Sequence, residues 1–287
     1  MYPLFKWAGG KTRMIKNYLD VIPHDKTTYV EPFVGGGAMF AHVKTTMPSY
    51  RSFVINDINT EVINLYTQVR DNLSGVVDGM VHFSDQYLPL SKDDRKTFYY
   101  DLREQYTQEY HEWSSCREAY TLYFLLRTSF NGIWQTTKAS KGRFATPCGL
   151  LKHTTTVFDL DNTKVWSSAL QGVVINSTNW SDLQAYDSTD SWFFMDPPYR
   201  GGHTTYETVF NDTDQIEILD FMGGAKSFVT LCNRDIGDGF YGTHLPFGYK
   251  MRNFDVIYTA GRRKRLDDGG HAAKSAVEVF IYPDGGQ

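Results

Sequence analysis

Cysteine is scarce in this 287-residue chain, with Cys116, Cys148 and Cys232 far apart and in no CxxC pair. An odd number at such spacing excludes a disulfide framework and a zinc site, so all three read as free thiols and no metal is expected. No apolar run approaches the ~20 residues a membrane helix needs, and the N-terminus lacks the charged-then-apolar layout of a secretion signal. A cytoplasmic protein with no membrane partner is expected. Internal repeats, low-complexity tracts and Pro-rich linkers are also missing, which leaves one large domain carrying an insertion. The formal net charge of −4 excludes indiscriminate nucleic-acid binding through bulk charge. Acidic residues, however, are absent from Ala119 to Phe158, where Arg127, Lys138, Lys141, Arg143 and Lys152 all fall. A second basic run, Arg262-Arg263-Lys264-Arg265, lies near the C-terminus. Each run is a solvated face or an anion-binding face.

Aromatics are abundant, with 19 Tyr, 19 Phe and 6 Trp. They open the chain in "FKWAGGKT", Phe5 to Thr12, whose Gly-Lys-Thr ending is that of a triphosphate loop. Such a loop needs a glycine where Phe5 stands, and a buried strand before it. Only Met1 to Leu4 precede, with Pro3 among them, so the triphosphate reading fails. "TTYVEPF" and "RSFVIND" read as buried strands ending in an acid, with a helix-like segment, Ala38 to Thr45, between them. This is the start of a parallel α/β sheet, whose ligands bind at the carboxyl ends of its strands. From about Asn59 to Thr128 the periodicity is helical, and Asn131 to Gly149 reads as a surface hairpin turning at Gly132 and Gly142. Strand patterns return at "GVVIN", "SWFFMDPPY", "KSFVTLCN" and "SAVEVFIY". The layout is one α/β domain with a helical module inside it.

Four stretches carry chemistry. "EPFVGGGAMF", Glu31 to Phe40, places Gly35, Gly36 and Gly37 between a strand and a helix, where backbone can approach a ligand. The dinucleotide fingerprint is incomplete, because Phe40 holds the position of its third glycine. Asp57 in "VINDIN" can accept hydrogen bonds from both hydroxyls of a ribose, and with the glycine turn it points to a nucleoside-bearing cofactor. Trp180 in "STNWSDL" is a candidate stacking face for the adenine, with core burial as the alternative. In "FFMDPPY", Phe193 to Tyr199, two prolines must end the strand and hold the backbone rigid. The Asp196 carboxylate and a proline carbonyl can then accept from one exocyclic amine, with Tyr199 stacked on the ring that bears it.

In this order the stretches resemble the DNA adenine-N6 methyltransferases of the Dam type. "FKWAGGK" is similar to their N-terminal cofactor motif, "VEPFVGGG" to the glycine-rich motif, "NDIN" to the ribose-binding acid, "FNG…GRFATPCG" to the recognition hairpin and "DPPY" to the catalytic tetrad. The resemblance implies a Rossmann-like class I methyltransferase fold: a mostly parallel seven-stranded sheet with an inserted, mainly helical target-recognition domain. Residues 1–58 and 155–287 would form the catalytic domain, and 59–154 the target-recognition domain with its hairpin at 129–149.

The implied cofactor is S-adenosyl-L-methionine, contacted by Trp7, Lys11, Glu31, Phe33, Gly35, Gly37, Asp57, Trp180 and Asp196. The implied substrate is an adenine flipped out of double-stranded DNA and held by Asp196, Pro197, Pro198 and Tyr199. Lys6, Asn131, Ile133, Gln135 and Pro147 would read sequence, while Arg127, Lys138, Lys141 and Arg143 would contact phosphates. A monomer that joins the nucleoid when bound to DNA is expected. Recognition of GATC stays open, because Gln135 stands where the best-known members have an arginine suited to guanine, and its amide matches adenine. Cytosine-N4 methylation by the same amine chemistry, cytosine-C5 methylation from Pro147-Cys148, an oxidoreductase on the same sheet, RNA as substrate and a catalytically silent DNA-binding protein are the competing readings.

Overall fold

The computed structural model describes residues 1–7, 9–132, 134–137, 140, 142–149, 155–201, 210–258, 264–265, 271–272 and 274–285. Five parallel strands form most of the main sheet: β1 (Thr28–Glu31), β2 (Ser52–Asn56), β3 (Val174–Asn176), β4 (Ser191–Met195) and β5 (Phe228–Asp235). β6 (Tyr249–Tyr258) and β9 (Lys274–Pro283) complete it, with β9 antiparallel to both β5 and β6. The order is β3-β2-β1-β4-β5-β9-β6, and β7 (Lys264–Arg265) with β8 (His271–Ala272) forms a separate two-stranded ribbon. This is the seven-stranded, mostly parallel α/β sheet expected of a class I methyltransferase. β1 and β4 are neighbours although chain order departs from them in opposite directions, and the crevice beyond their carboxyl ends is where such sheets bind ligands.

The strands are apolar on both faces because both faces are covered. Every residue of β4 is buried, and side chains alternate: Tyr29 and Trp192 enter one core with Phe5, Phe40, Tyr66 and Trp166. Val30 and Phe193 enter the other, with Ile218, Leu219 and Val229. The sequence reading missed β6, whose apolar residues change phase midway, from Tyr249 and Met251 to Phe254 and Val256. A pattern out of step with itself gives no period-2 signal, and pairing with β9 supplies what the pattern lacks.

The helices are α1 (Ala38–Thr46), α2 (Thr60–Asp71), α3 (Leu73–Tyr87), α4 (Lys92–Glu109), α5 (Ser115–Thr128), α6 (Leu160–Ala169), α7 (Asp212–Gly224) and α8 (Phe240–His244). Side chains cap several N-termini: Asn59 accepts from Glu61 and Val62, Ser91 from Asp94, Ser114 from Arg117 and Asp159 from Asn162. Each such cap stabilises its helix by about 1 kcal/mol. Helix α5 is mostly buried from Ala119 to Thr128, because α2, α3 and α4 pack against it. Helix α2 packs on α6 and β3 on one side and on α3 and α5 on the other. The core is correspondingly continuous from Trp192 in the sheet to Tyr87, Tyr106 and Phe124 in the helical segment. Among the described residues no helix is long and apolar enough to cross a membrane.

Candidate active site and recognition loop

Among its described residues, the chain before β1 forms short 3-10 turns, the first at Lys11–Arg13, and no strand. Gly9 takes a left-handed φ of 78°, which folds the chain so that the Lys11 ammonium donates to the Gly9 carbonyl at 2.9 Å. The same ammonium enters the crevice. It lies 2.7 Å from Asp196 Oδ1 and donates to Oδ2 at 2.9 Å and to the Tyr199 hydroxyl. Lys11 is 2% exposed. Burial raises Asp196 to about 6 against the pull of Lys11, with Glu278 on β9 adding to the rise. Buried Asp196 Oδ1 receives no directed hydrogen bond: the ammonium is close to it but poorly aligned.

Asp196 follows directly on β4, and the turn after it is held from beneath. Gln215 on α7 donates to the Pro198 carbonyl at 2.9 Å and accepts from Asn233, which ends the buried part of β5. Asn233 in turn accepts from the Arg200 backbone N–H at 3.0 Å. The Arg200 guanidinium is clamped between Asp212 and Asp238, with contacts of 2.7 to 3.0 Å, and lies 3.7 Å from the centre of the Phe240 ring. Sequence reasoning missed Arg200, Gln215, Asn233 and Glu278. The only trace of them was the asparagine that closes "KSFVTLCN" and the arginine after "DPPY".

Across the crevice, Gly35 (φ 44°) and Gly37 (φ 67°) form the turn between β1 and α1. A Cβ on Gly35 would stand 2.6 Å from the Trp7 indole nitrogen, so the missing side chain is what lets Trp7 lie against the turn. Asp57 fixes the turn by accepting from the Gly35 N–H at 2.9 Å and from Asn59 at 3.0 Å, while the Tyr66 hydroxyl donates to the Gly35 carbonyl. Burial raises Asp57 to about 6, against those two backbone donors. Glu31 is buried at the end of β1 and accepts from Tyr29 at 2.8 Å; burial holds its pKa well above the usual carboxylate range. Phe33 packs edge-on against Phe210.

Trp180 requires a correction. It is 7% exposed and packs on Phe221 inside the second core, so its ring presents no free stacking face. A 3-10 helix, Trp180–Tyr186, starts at this residue and turns it inward.

Among its described residues, the segment expected to be a hairpin runs back antiparallel to itself and forms no regular strand. One bridge joins Ser129 to Cys148, Phe130 donates to the Pro147 carbonyl, and Ala145 donates to the Gln135 carbonyl at 2.7 Å. Asn131 (φ 56°) and Gly132 (φ 63°) make its first turn and Gly142 (φ 83°) another. Gly132 rests on the backbone of Lys6, which brings exposed Lys6 beside Asn131. Gln135 is partly exposed, its backbone N–H donating to Thr146. Pro147 is exposed. Trp134 links the loop to the crevice, with Trp7 at 5.7 Å and Phe144 at 5.3 Å. Ile133, Lys138 and Lys141 lie outside the described residues, as do Lys152, Arg262 and Arg263.

Two of the expected phosphate contacts are engaged within the protein. Arg127 Nε donates to the Val157 carbonyl at 3.0 Å. Arg143 is turned inward: its guanidinium pairs with Glu118, lies 3.7 Å from Glu61 and sits 3.3 Å from the centre of the Tyr110 ring. Cys148, partly buried in the same loop, has its thiol pKa raised by burial, which opposes thiolate formation there.

An acidic Pro-Pro turn follows β4 at the switch point of this sheet, and a glycine turn pinned by a carboxylate follows β1, the arrangement that the resemblance to amine-modifying methyltransferases implies. The sequence matches that geometry: residues 7–233 fit the family of D12 class N6 adenine-specific DNA methyltransferases. The chain is 29% identical over 232 residues to the Type II methyltransferase M.MjaIII of Methanocaldococcus jannaschii, covering 76% of this chain and 78% of that one. It is 26% identical over 263 residues to the Type II methyltransferase M.CviBI of Paramecium bursaria Chlorella virus NC1A, covering 88% and 92%. A DNA adenine methylase of Haemophilus influenzae is 30% identical over 199 residues, 69% of this chain and 63% of that one. The chain belongs to the D12 class and is an adenine-specific DNA methyltransferase.

Proposed function

We propose that the chain uses S-adenosylmethionine to methylate N6 of an adenine flipped from double-stranded DNA, at a sequence chosen by the loop 129–149 within a target-recognition module of residues 59–154. The observation that carries this reading is the half-buried Asp196 carboxylate beside the crevice, whose buried Oδ1 lacks a directed donor. A primary amine is the group that such an acceptor fits.

The residues around the crevice fit the cofactor. Asp57, held by two backbone N–H groups, keeps lone pairs for ribose hydroxyls. The positive-φ glycines keep that wall free of side chains, Trp7 offers an aromatic edge, and Lys11 offers the cation that a methionine carboxylate needs. When bound, S-adenosylmethionine supplies a methyl group on a positively charged sulfur.

The N6 lone pair of adenine is delocalised into the ring. Hydrogen bonds accepted by Asp196 and the Pro197 carbonyl draw the nitrogen toward tetrahedral geometry and localise that lone pair. As positive charge develops on nitrogen, the fixed carboxylate stabilises it without reorganising. Tyr199 stacks on the base, and Gln215, Asn233 and Arg200 keep the turn rigid while it does so. Lys11 must leave at least one Asp196 oxygen for the amine to enter.

Incubation with plasmid DNA and methyl-labelled cofactor, followed by mapping of the modified positions by single-molecule sequencing, tests the reading. N6-methyladenine in one sequence context is expected from wild type and none from Asp196→Ala. Label in N4- or C5-methylcytosine overturns it.

A further inference from the structure

We infer that Arg143 is a positioning residue for sequence readout, a strut that fastens the returning limb of the recognition loop to α2 and α5, and not a contact to DNA phosphate. The inference rests on the reading of the loop as the DNA-reading element.

The Arg143 side chain is 12% exposed, and its guanidinium stands between the Glu118 and Glu61 carboxylates and the rings of Tyr110 and Tyr106. To reach a phosphate it would have to abandon both acids. Glu61 is 7% exposed, and burial already raises its pKa to about 7, so it would lose the cation that favours its charged form.

What the strut supports is the return limb. Glu61 accepts from the Phe144 backbone N–H as well as from Tyr106. Arg103 donates to the carbonyls of Ala145 and Thr146 at 2.9 and 3.0 Å, and Tyr99 donates to that of Thr146 at 2.8 Å. The outgoing limb hangs on this one: Gln135 is tied through its backbone to Thr146 and Ala145, and Phe130 to Pro147. The backbone at Gln135 is thus held by Ala145 and Thr146, and the return limb that carries them is fastened by Arg103 and Tyr99 and, at its start, by Arg143 on Glu118 and Glu61. Glu61 also stands in the first turn of α2, four residues after Asp57, so the strut ties the reading loop to the helix that follows the candidate ribose-binding acid.

The test uses the full chain with S-adenosylmethionine and duplexes carrying either the site mapped for wild type or that site with one base pair changed. Binding is measured over a range of salt. For Arg143→Met the strut predicts an unchanged slope of log affinity against log salt and an at least tenfold loss of discrimination, with cofactor affinity within about twofold. A slope shallower by about 0.9 with discrimination kept, the signature of one lost phosphate contact, overturns the inference. Glu118→Ala separates the two readings a second time. A strut predicts lost discrimination, whereas a phosphate contact predicts tighter binding once a competing anion is gone. Wild-type methylation of adenine at the mapped site, run alongside, tells failure of the strut from failure of the functional reading.

Discussion

Lys11 and Asp196, 185 residues apart in the chain, form a buried ion pair inside the crevice, with the ammonium 2.7 Å from one carboxylate oxygen and 2.9 Å from the other. Taking both charges out of water is costly, and such pairs are retained where their chemistry is needed. On the proposed function, the ammonium stands where the substrate amine would be held, and it favours the ionised carboxylate until base and cofactor arrive. Either arrival changes what the lysine bonds to.

The pair sets the acid side of the pH profile. Asp196 must be ionised to hold the amine, and burial raises it to about 6. The log of kcat/KM, which reports the free enzyme, is expected to fall with unit slope as pH drops below about 6, where an ordinary Asp would hold activity to about 4. Because Lys11 favours the charged carboxylate, Lys11→Met moves this limb to higher pH. A limb left in place in that variant would remove the ion pair from the control of activity.

Arg200→Ala probes the support of the turn. Loss of the clamp to Asp212 and Asp238 frees the residue that follows Tyr199 and leaves the cofactor wall intact. Misplacement by about 1 Å costs up to ~100-fold in rate, so kcat is expected to drop about 10- to 100-fold. Calorimetric titration of the cofactor is expected to give a dissociation constant within about twofold of wild type.

Gln135→Ala is expected to relax one base position of the site. A bidentate side chain contributes about 1–3 kcal/mol of discrimination, roughly 5- to 150-fold. Methylation of a randomised duplex library checks this, and an unchanged preference at every position would take Gln135 out of the readout.

Gly132→Ala tests the meeting of the N-terminus with the loop. A Cβ there would stand 2.4 Å from the Lys6 carbonyl oxygen, at a φ of 63° that side chains rarely take. Lys6 and Asn131 must separate, so binding of the mapped site is expected to weaken at least tenfold in a gel-shift assay. Cofactor binding is expected to stay near wild type.

The amino-acid sequence by itself determined those features whose cause is local. The end of β4 follows from two prolines that cannot extend a ladder, the turn at Gly35 and Gly37 from the left-handed φ values that glycine permits, and the parallel sheet from apolar strands alternating with helical periods. Their order along the chain carried the family resemblance and, with it, the candidate site. Only the tertiary structure decided where side chains distant in sequence meet. It turned Trp180 into a core and Arg143 onto two acids, brought Lys11 to Asp196, and placed Arg200, Gln215 and Asn233 beneath the catalytic turn. A residue's own neighbours fix its backbone state and face, whereas the direction of a long side chain is set by whichever charge or cavity the packed elements put within its reach.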